Sequence, residues 1–152
     1  MATILLVNGP NLNLLGRREP ALYGREDLAT LSTRLETRAR ERGHRLLAMQ
    51  SNHEGEIVDF LHAHSPPESA AGILNPGGLT HTSVALRDAL LATGLPFVEV
   101  HLSKPEARED FRHRSLLADL ALGRISGFGP RSYDLALEAI LLHLGDSSHG
   151  HP

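Results

Sequence analysis

The residue types able to do chemistry gather in three short stretches. The first, Gly9 to Gly24, reads GPNLNLLGRREPALYG and holds two asparagines, two adjacent arginines and a tyrosine. A tyrosine beside Arg17 and Arg18 has its phenolate favoured by nearby positive charge. The same composition also fits an exposed basic loop with its aromatic tucked down. Free tyrosine, with a pKa near 10, is only about one part in a thousand ionised at neutral pH. Lowering that pKa by about two to three units takes about 3–4 kcal/mol in favour of the phenolate, within reach of a guanidinium in a closed, dry site.

The second stretch, Asn75-Pro76-Gly77-Gly78 with His81, reads either as a plain turn before a helix or as a set of polar groups aimed at a ligand. The third begins at Phe97–His101, where strand alternation puts Glu99 and His101 on one face, shared by Phe97. A carboxylate beside a strand-end histidine fixes its tautomer and favours its protonated form, as a general acid needs. The same Glu99 can equally address His81. The Leu102 and Ser103 amides then open an expected helix, a seat for a carboxylate anion. Arg108 and Arg112 follow one turn apart on one helix face, adding positive charge or simply pairing with Glu109 and Asp110. Asp88, two turns into the preceding helix, reads as a solvated charge.

Other motifs fail on inspection. His53-Glu54 starts like a zinc-protease helix, but Ile57 stands where the second histidine must be. His62 and His64 sit two apart on a helix and do not share a face. Gly127-Phe128-Gly129 is half a dinucleotide fingerprint, with Ser132 in place of the third glycine. His149 and His151 fall in a polar tail and read as disordered sooner than metal-binding.

The elements that must position these groups alternate along the chain. Its 152 residues suit one domain able to bury a core unaided. With no cysteine, disulfides and thiolate chemistry are excluded, and a reducing cytoplasm fits. A net charge of −3 offers no basic field for nucleic acid. No apolar run approaches membrane-spanning length, and no charged leader precedes the first strand. Fourteen arginines against the single Lys104 suit bidentate carboxylate recognition, although codon bias can produce the same ratio.

Strands are expected at Ile4–Val7, Arg45–Gln50, Ala71–Leu74, Phe97–His101 and Arg124–Gly127. Helices are expected over about Glu26–Arg42, from a Ser51/Glu54 capping box, over about Thr82–Thr93, from a Ser103/Glu106 capping box through Phe111, and over Ser132–Leu144. The segment up to Leu122 is ambiguous, and Asp146–Pro152 reads as a loose tail. This alternation predicts a five-stranded parallel sheet covered on both faces, a flavodoxin-like three-layer α/β sandwich of order 2-1-3-4-5. It is expected as a single catalytic domain over 1–145 with a flexible tail over 146–152. Each polar stretch sits just after a strand, so all three meet on one rim of the sheet.

Four ordered segments, GPNLNLLGRREPALYG, QSNHEGEIVDFLH, NPGGLTHTSVALRDAL and VEVHLSKPEAREDFRHRS, resemble type II 3-dehydroquinate dehydratase, with the likeness running from Ile4 to Leu144. The resemblance implies a flavodoxin-like fold assembled as a dodecamer of trimers. It implies anti elimination of water from 3-dehydroquinate through an enolate, giving 3-dehydroshikimate with no metal, Schiff base or other cofactor. By the same likeness Tyr23 is the base and Arg18 its activator on a mobile lid, and Asn11 holds a water at the enolate oxygen. His101 is the proton donor. Asn75 and His81 hold substrate hydroxyls, Leu102, Ser103 and Arg112 hold the carboxylate, Glu99 and Arg108 support, and Asp88 reaches a neighbouring subunit's site. Leu79 departs from the family, where that position is often aromatic, which affects wall packing. The reaction serves shikimate biosynthesis of aromatic amino acids or quinate catabolism; the competing class is a non-catalytic flavodoxin-like binding module.

Overall fold

The computed structural model describes residues 1–17, Ala21 and 25–148. Five strands, β1 (Thr3–Asn8), β2 (Arg45–Gln50), β3 (Ala71–Asn75), β4 (Phe97–His101) and β5 (Gly123–Ser126), form one sheet. All neighbours pair in parallel in the order β2-β1-β3-β4-β5, as the alternating pattern predicts. Helices α1 (Leu28–Glu41), α2 (Glu54–His64), α3 (Val84–Thr93) and α4 (Arg131–Ser148) cover the two faces.

A strand buried on both faces must be apolar on both, and Ile4-Leu5-Leu6-Val7 is. Ile4 and Leu6 turn to the side of α1 and α4, where Leu31, Leu35, Tyr133, Leu137 and Ile140 pack. Leu5 and Val7 turn to α2 and α3, against Ile57, Leu61, Leu86 and Leu90, with Leu117 closing the layer and Leu79 packed at its margin. Truncating one of these buried leucines to alanine costs about 2–5 kcal/mol. On the outer side of α1 and α4, Arg34 donates to both carboxylate oxygens of Asp134, and Arg38 joins Asp134 to Glu138.

Several expected boundaries shift, each for a local reason. The first helix starts at Leu28 because the Asp27 carboxylate caps it from outside, accepting from the Thr30 amide at 2.8 Å. Glu26 instead ion-pairs with Arg34. The Ser51/Glu54 capping box does not form. His53 takes the N-cap position, and Ser51 binds across the turn, accepting from the His53 amide and donating to Glu56. The third helix begins at Val84 behind its Ser83 cap, and the preceding Gly77–His81 winds as a 3₁₀ turn. The helix expected from Ser103 is replaced by two 3₁₀ turns, Pro105–Ala107 and Asp110–Arg112, separated by an extended Arg108. The ambiguous segment before β5 is turns carrying Leu117 into the core, β5 begins one residue early, and α4 runs beyond Leu144 to Ser148.

Candidate active site

The three polar stretches meet at the carboxyl ends of β1, β3 and β4, around a cavity of about 140 Å³. Close backbone approach closes its floor. A side chain at Gly9 would place its Cβ 2.3 Å from the Pro76 carbonyl oxygen, so only glycine lets the two strand ends meet. Gly77, at φ +60°, faces Pro10 in the same way.

Asn11 holds a left-handed conformation, φ 71°, and its amide donates to the Asn52 side chain at 2.9 Å. Its own side chain makes no capping bond, and the residue lines the cavity. Asn75 closes β3 nearly buried, its Oδ1 accepting from the Gly77 amide at 3.2 Å. His81 sits across the opening, and its Nδ1 lies 2.7 Å from the Arg114 carbonyl. A carbonyl only accepts, so Nδ1 carries the proton and Nε2 offers a lone pair when the ring is neutral. Burial, reinforced by positive charge at Arg112 and Arg124, holds the His81 pKa below the usual imidazole value, despite the Arg114 bond acting the other way. The His81 and His101 rings lie nearly parallel, 6.4 Å apart.

Glu99 pairs with His101 and not with His81. Its Oε2 lies 2.5 Å from His101 Nε2 and also accepts from Thr80, while Oε1 accepts from Ser115, each hydroxyl at 2.7 Å. Burial, the largest influence, pushes the carboxyl pKa up. The hydrogen bond and charge of His101, then Ser115 and Thr80, outweigh it, and the pKa lies below the ordinary value. Glu99 is therefore ionised at neutral pH, holds the histidine ring through Nε2, and leaves Nδ1 to the cavity side. This is the electrostatics of a positioned general acid.

At the mouth, Leu102 and Ser103 lie beside Arg108 and Arg112, and all four line the cavity. Arg108 Nη1 reaches the Ser103 hydroxyl at 3.5 Å, and Glu109 holds Arg112 through Nε at 3.1 Å. The helix expected to open after Ser103 is a three-residue 3₁₀ turn, which carries little macrodipole. The two arginines reach the cavity from two 3₁₀ turns joined by extended backbone at Arg108, not from a shared helix face.

The expected residues Asn11, Asn75, His81, His101, Leu102, Ser103, Arg108 and Arg112 thus share one cavity, with Glu99 directly beneath. Asp88 is exposed on α3 and does not line it. Arg18 and Tyr23 lie outside the described residues. Sequence reasoning missed Thr80, Ser115 and Arg124 around Glu99, as well as Asn8 and Tyr133 behind Asn75. Only Tyr133 left a trace, as a hydroxyl within the apolar stripe of the last helix. Among the described residues no cluster of His, Asp and Glu is placed to hold a metal, and no helix is long and apolar enough to cross a membrane.

Residues 2–141 match the family described as dehydroquinase class II. The chain is 54% identical over 145 residues to the 3-dehydroquinate dehydratase of Xylella fastidiosa, an overlap of 95% of this chain and 98% of that one. It is 56% identical over 144 residues to the 3-dehydroquinate dehydratase of Xanthomonas axonopodis, covering 95% and 97%. Among solved structures it resembles the type II dehydroquinase from Butyrivibrio crossotus, with a TM-score of 0.88 at 37% identity over 93% of this chain and 97% of that one. The family match, these identities and the shared fold have one consequence: the chain belongs to the type II dehydroquinase family.

Proposed function

We propose that this chain is a 3-dehydroquinate dehydratase, eliminating water from 3-dehydroquinate to give 3-dehydroshikimate through an enolate. The observation that carries the reading is the buried Glu99–His101 pair at the floor of a cavity lined by polar and cationic groups, in a chain of this family. Tyr23, as a phenolate activated by Arg18, takes the C2 proton, and the C–H electrons move into an enolate on the C3 oxygen. Asn11 holds a water against that oxygen. The enolate then collapses, the C1–O bond breaks, and His101 gives its proton to the departing hydroxide, which leaves as water. The substrate carboxylate sits at Leu102, Ser103 and Arg112, and its hydroxyls meet Asn75 and His81.

Arg108 supports Ser103, and Glu99 holds the His101 ring in its orientation. Every proton has a side-chain owner, so the reaction needs no metal or other cofactor. Asp88, exposed and outside the lining of its own chain's cavity, acts in a neighbour's, within a homo-oligomer built of trimers, a dodecamer. The enzyme works in the cytoplasm, in shikimate biosynthesis of aromatic amino acids. The test is direct: the product is a conjugated enone, so ultraviolet absorbance grows when purified protein meets 3-dehydroquinate. A flat trace from folded, assembled protein would refute the assignment.

A further inference from the structure

Behind the cavity, three buried polar side chains, of which only Asn75 is placed on substrate above, form a chain of hydrogen bonds with only one possible direction. It begins at the Met49 carbonyl, which can only accept and takes the Asn8 Nδ2 at 3.4 Å. Asn8 therefore turns its Oδ1 the other way, toward the Tyr133 hydroxyl at 2.7 Å. Tyr133 must donate there, and a hydroxyl has one hydrogen, so its oxygen can only accept from its other neighbour. That neighbour is Asn75 Nδ2, at 2.8 Å. The far end agrees, because the Gly77 amide can only donate and meets Asn75 Oδ1 at 3.2 Å. Backbone groups of fixed polarity thus close the chain at both ends, and every link runs the same way.

All three side chains are almost wholly buried: Tyr133 is 0% exposed, Asn8 1% and Asn75 3%. Burial leaves no solvent to satisfy a reversed amide, so an Asn75 flip would set donor against donor at Gly77 and break the chain. Burial also pushes the Tyr133 hydroxyl pKa well above its ordinary value, so it stays protonated and keeps its direction.

We infer that Tyr133 is a positioning residue that sets the polarity of Asn75 in the substrate site. With one Nδ2 hydrogen on Tyr133 and Oδ1 on Gly77, Asn75 presents the same remaining Nδ2 donor to every ligand, and a substrate hydroxyl in front of it accepts. The inference rests on the proposed dehydration, in which Asn75 holds that hydroxyl. It extends the site to α4, the last helix of the chain, which otherwise lies behind the sheet.

The test is steady-state kinetics on 3-dehydroquinate, read by enone absorbance in the assembled protein. Tyr133→Phe keeps the buried ring and removes only the hydroxyl. KM is expected to rise about five- to thirtyfold, the effect of one misoriented buried hydrogen bond, with kcat little changed. Asn8→Ala touches nothing in the cavity but frees the Tyr133 hydroxyl to turn toward Asn75, and raises KM in the same direction. In an Asn75→Ala background, adding Tyr133→Phe has no further effect on KM. Leu137→Ala, which loosens the same helix without touching the chain of bonds, lowers stability and leaves KM alone. An unchanged KM in Tyr133→Phe and Asn8→Ala, or an equal loss with Asn75 already removed, overturns the inference. Absence of enone growth in the wild type instead overturns the proposed reaction.

Discussion

Glu99→Gln isolates what the buried carboxylate does for His101. The substitution keeps shape and removes charge. The carboxylate accepts from three donors, with Ser115 on Oε1 and both Thr80 and His101 on Oε2. A glutamine must put its NH₂ at one of those positions. At Oε1 it meets a Ser115 oxygen whose lone pairs already take the Leu117 and Ala118 amides. At Oε2 it meets the His101 N–H itself. The milder orientation keeps oxygen on His101 but loses the charge assistance, worth about 1.5–3 kcal/mol, so kcat should fall about ten- to 150-fold. KM should move little, because Glu99 is fully buried and touches no substrate.

Stability supplies a second reading of the same variant. The folded Glu99 pKa is depressed below its ordinary value of 4.5, so the unfolded chain binds the proton more readily. The carboxylate's contribution is therefore complete above that value and is lost as pH falls through the folded pKa. Denaturant midpoints should thus decline less steeply in Glu99→Gln than in wild type as pH drops below about 4.5. A folded variant with kcat within about threefold of wild type would refute the reasoning and leave the pair structural.

His101→Ala removes the donor but leaves the base, so dehydration should drop about a hundredfold or more while substrate still gains deuterium at C2 in heavy water. Tyr23→Phe should lose both, and retention of exchange there would reverse the assignments. Activity should survive chelator and borohydride, and Lys104→Ala should keep most turnover, since Lys104 is exposed and lies along Gly127, away from the cavity lining; a borohydride-trapped mass adduct on Lys104 would point to an imine. Asp88→Ala should bind substrate weakly yet regain some activity when exchanged into mixed oligomers with Tyr23→Phe. Without rescue in proven hetero-oligomers, each site is self-contained. Asp134→Ala should cost about 1–3 kcal/mol in urea unfolding, because it strips Arg34 and Arg38 of a nearly buried partner, the cost tempered by the arginines' partial exposure. KM should not move.

Much of the architecture was legible because its causes are local. Ile4–Val7 is apolar without alternation, as a strand covered on both faces must be, and Leu31, Leu35 and Ala39 recur at helical spacing. Parallel strands joined by helices leave few arrangements, so the sheet order followed, and the polar stretches after β1, β3 and β4 had to share a rim. Period-two alternation put Glu99 and His101 on one face, and the family resemblance supplied roles that spacing alone left open.

Tertiary structure decided what depends on segments far apart in the chain. Glu99 chose His101 over His81 because Thr80 and Ser115 hold the carboxylate from other loops and His81 is taken by the Arg114 carbonyl. The expected Ser103 helix yields to two turns, and Arg108 and Arg112 line one cavity from separate turns with extended backbone between them. Tyr133 reads in the sequence as one more apolar stripe residue. Its hydroxyl becomes part of the site only when α4 packs against β3 and β4 and brings it to Asn8 and to Asn75, 58 residues away. Hydrophobic periodicity is written residue by residue, but a hydrogen bond's direction is set by whichever donor and acceptor the finished fold brings within about 3 Å.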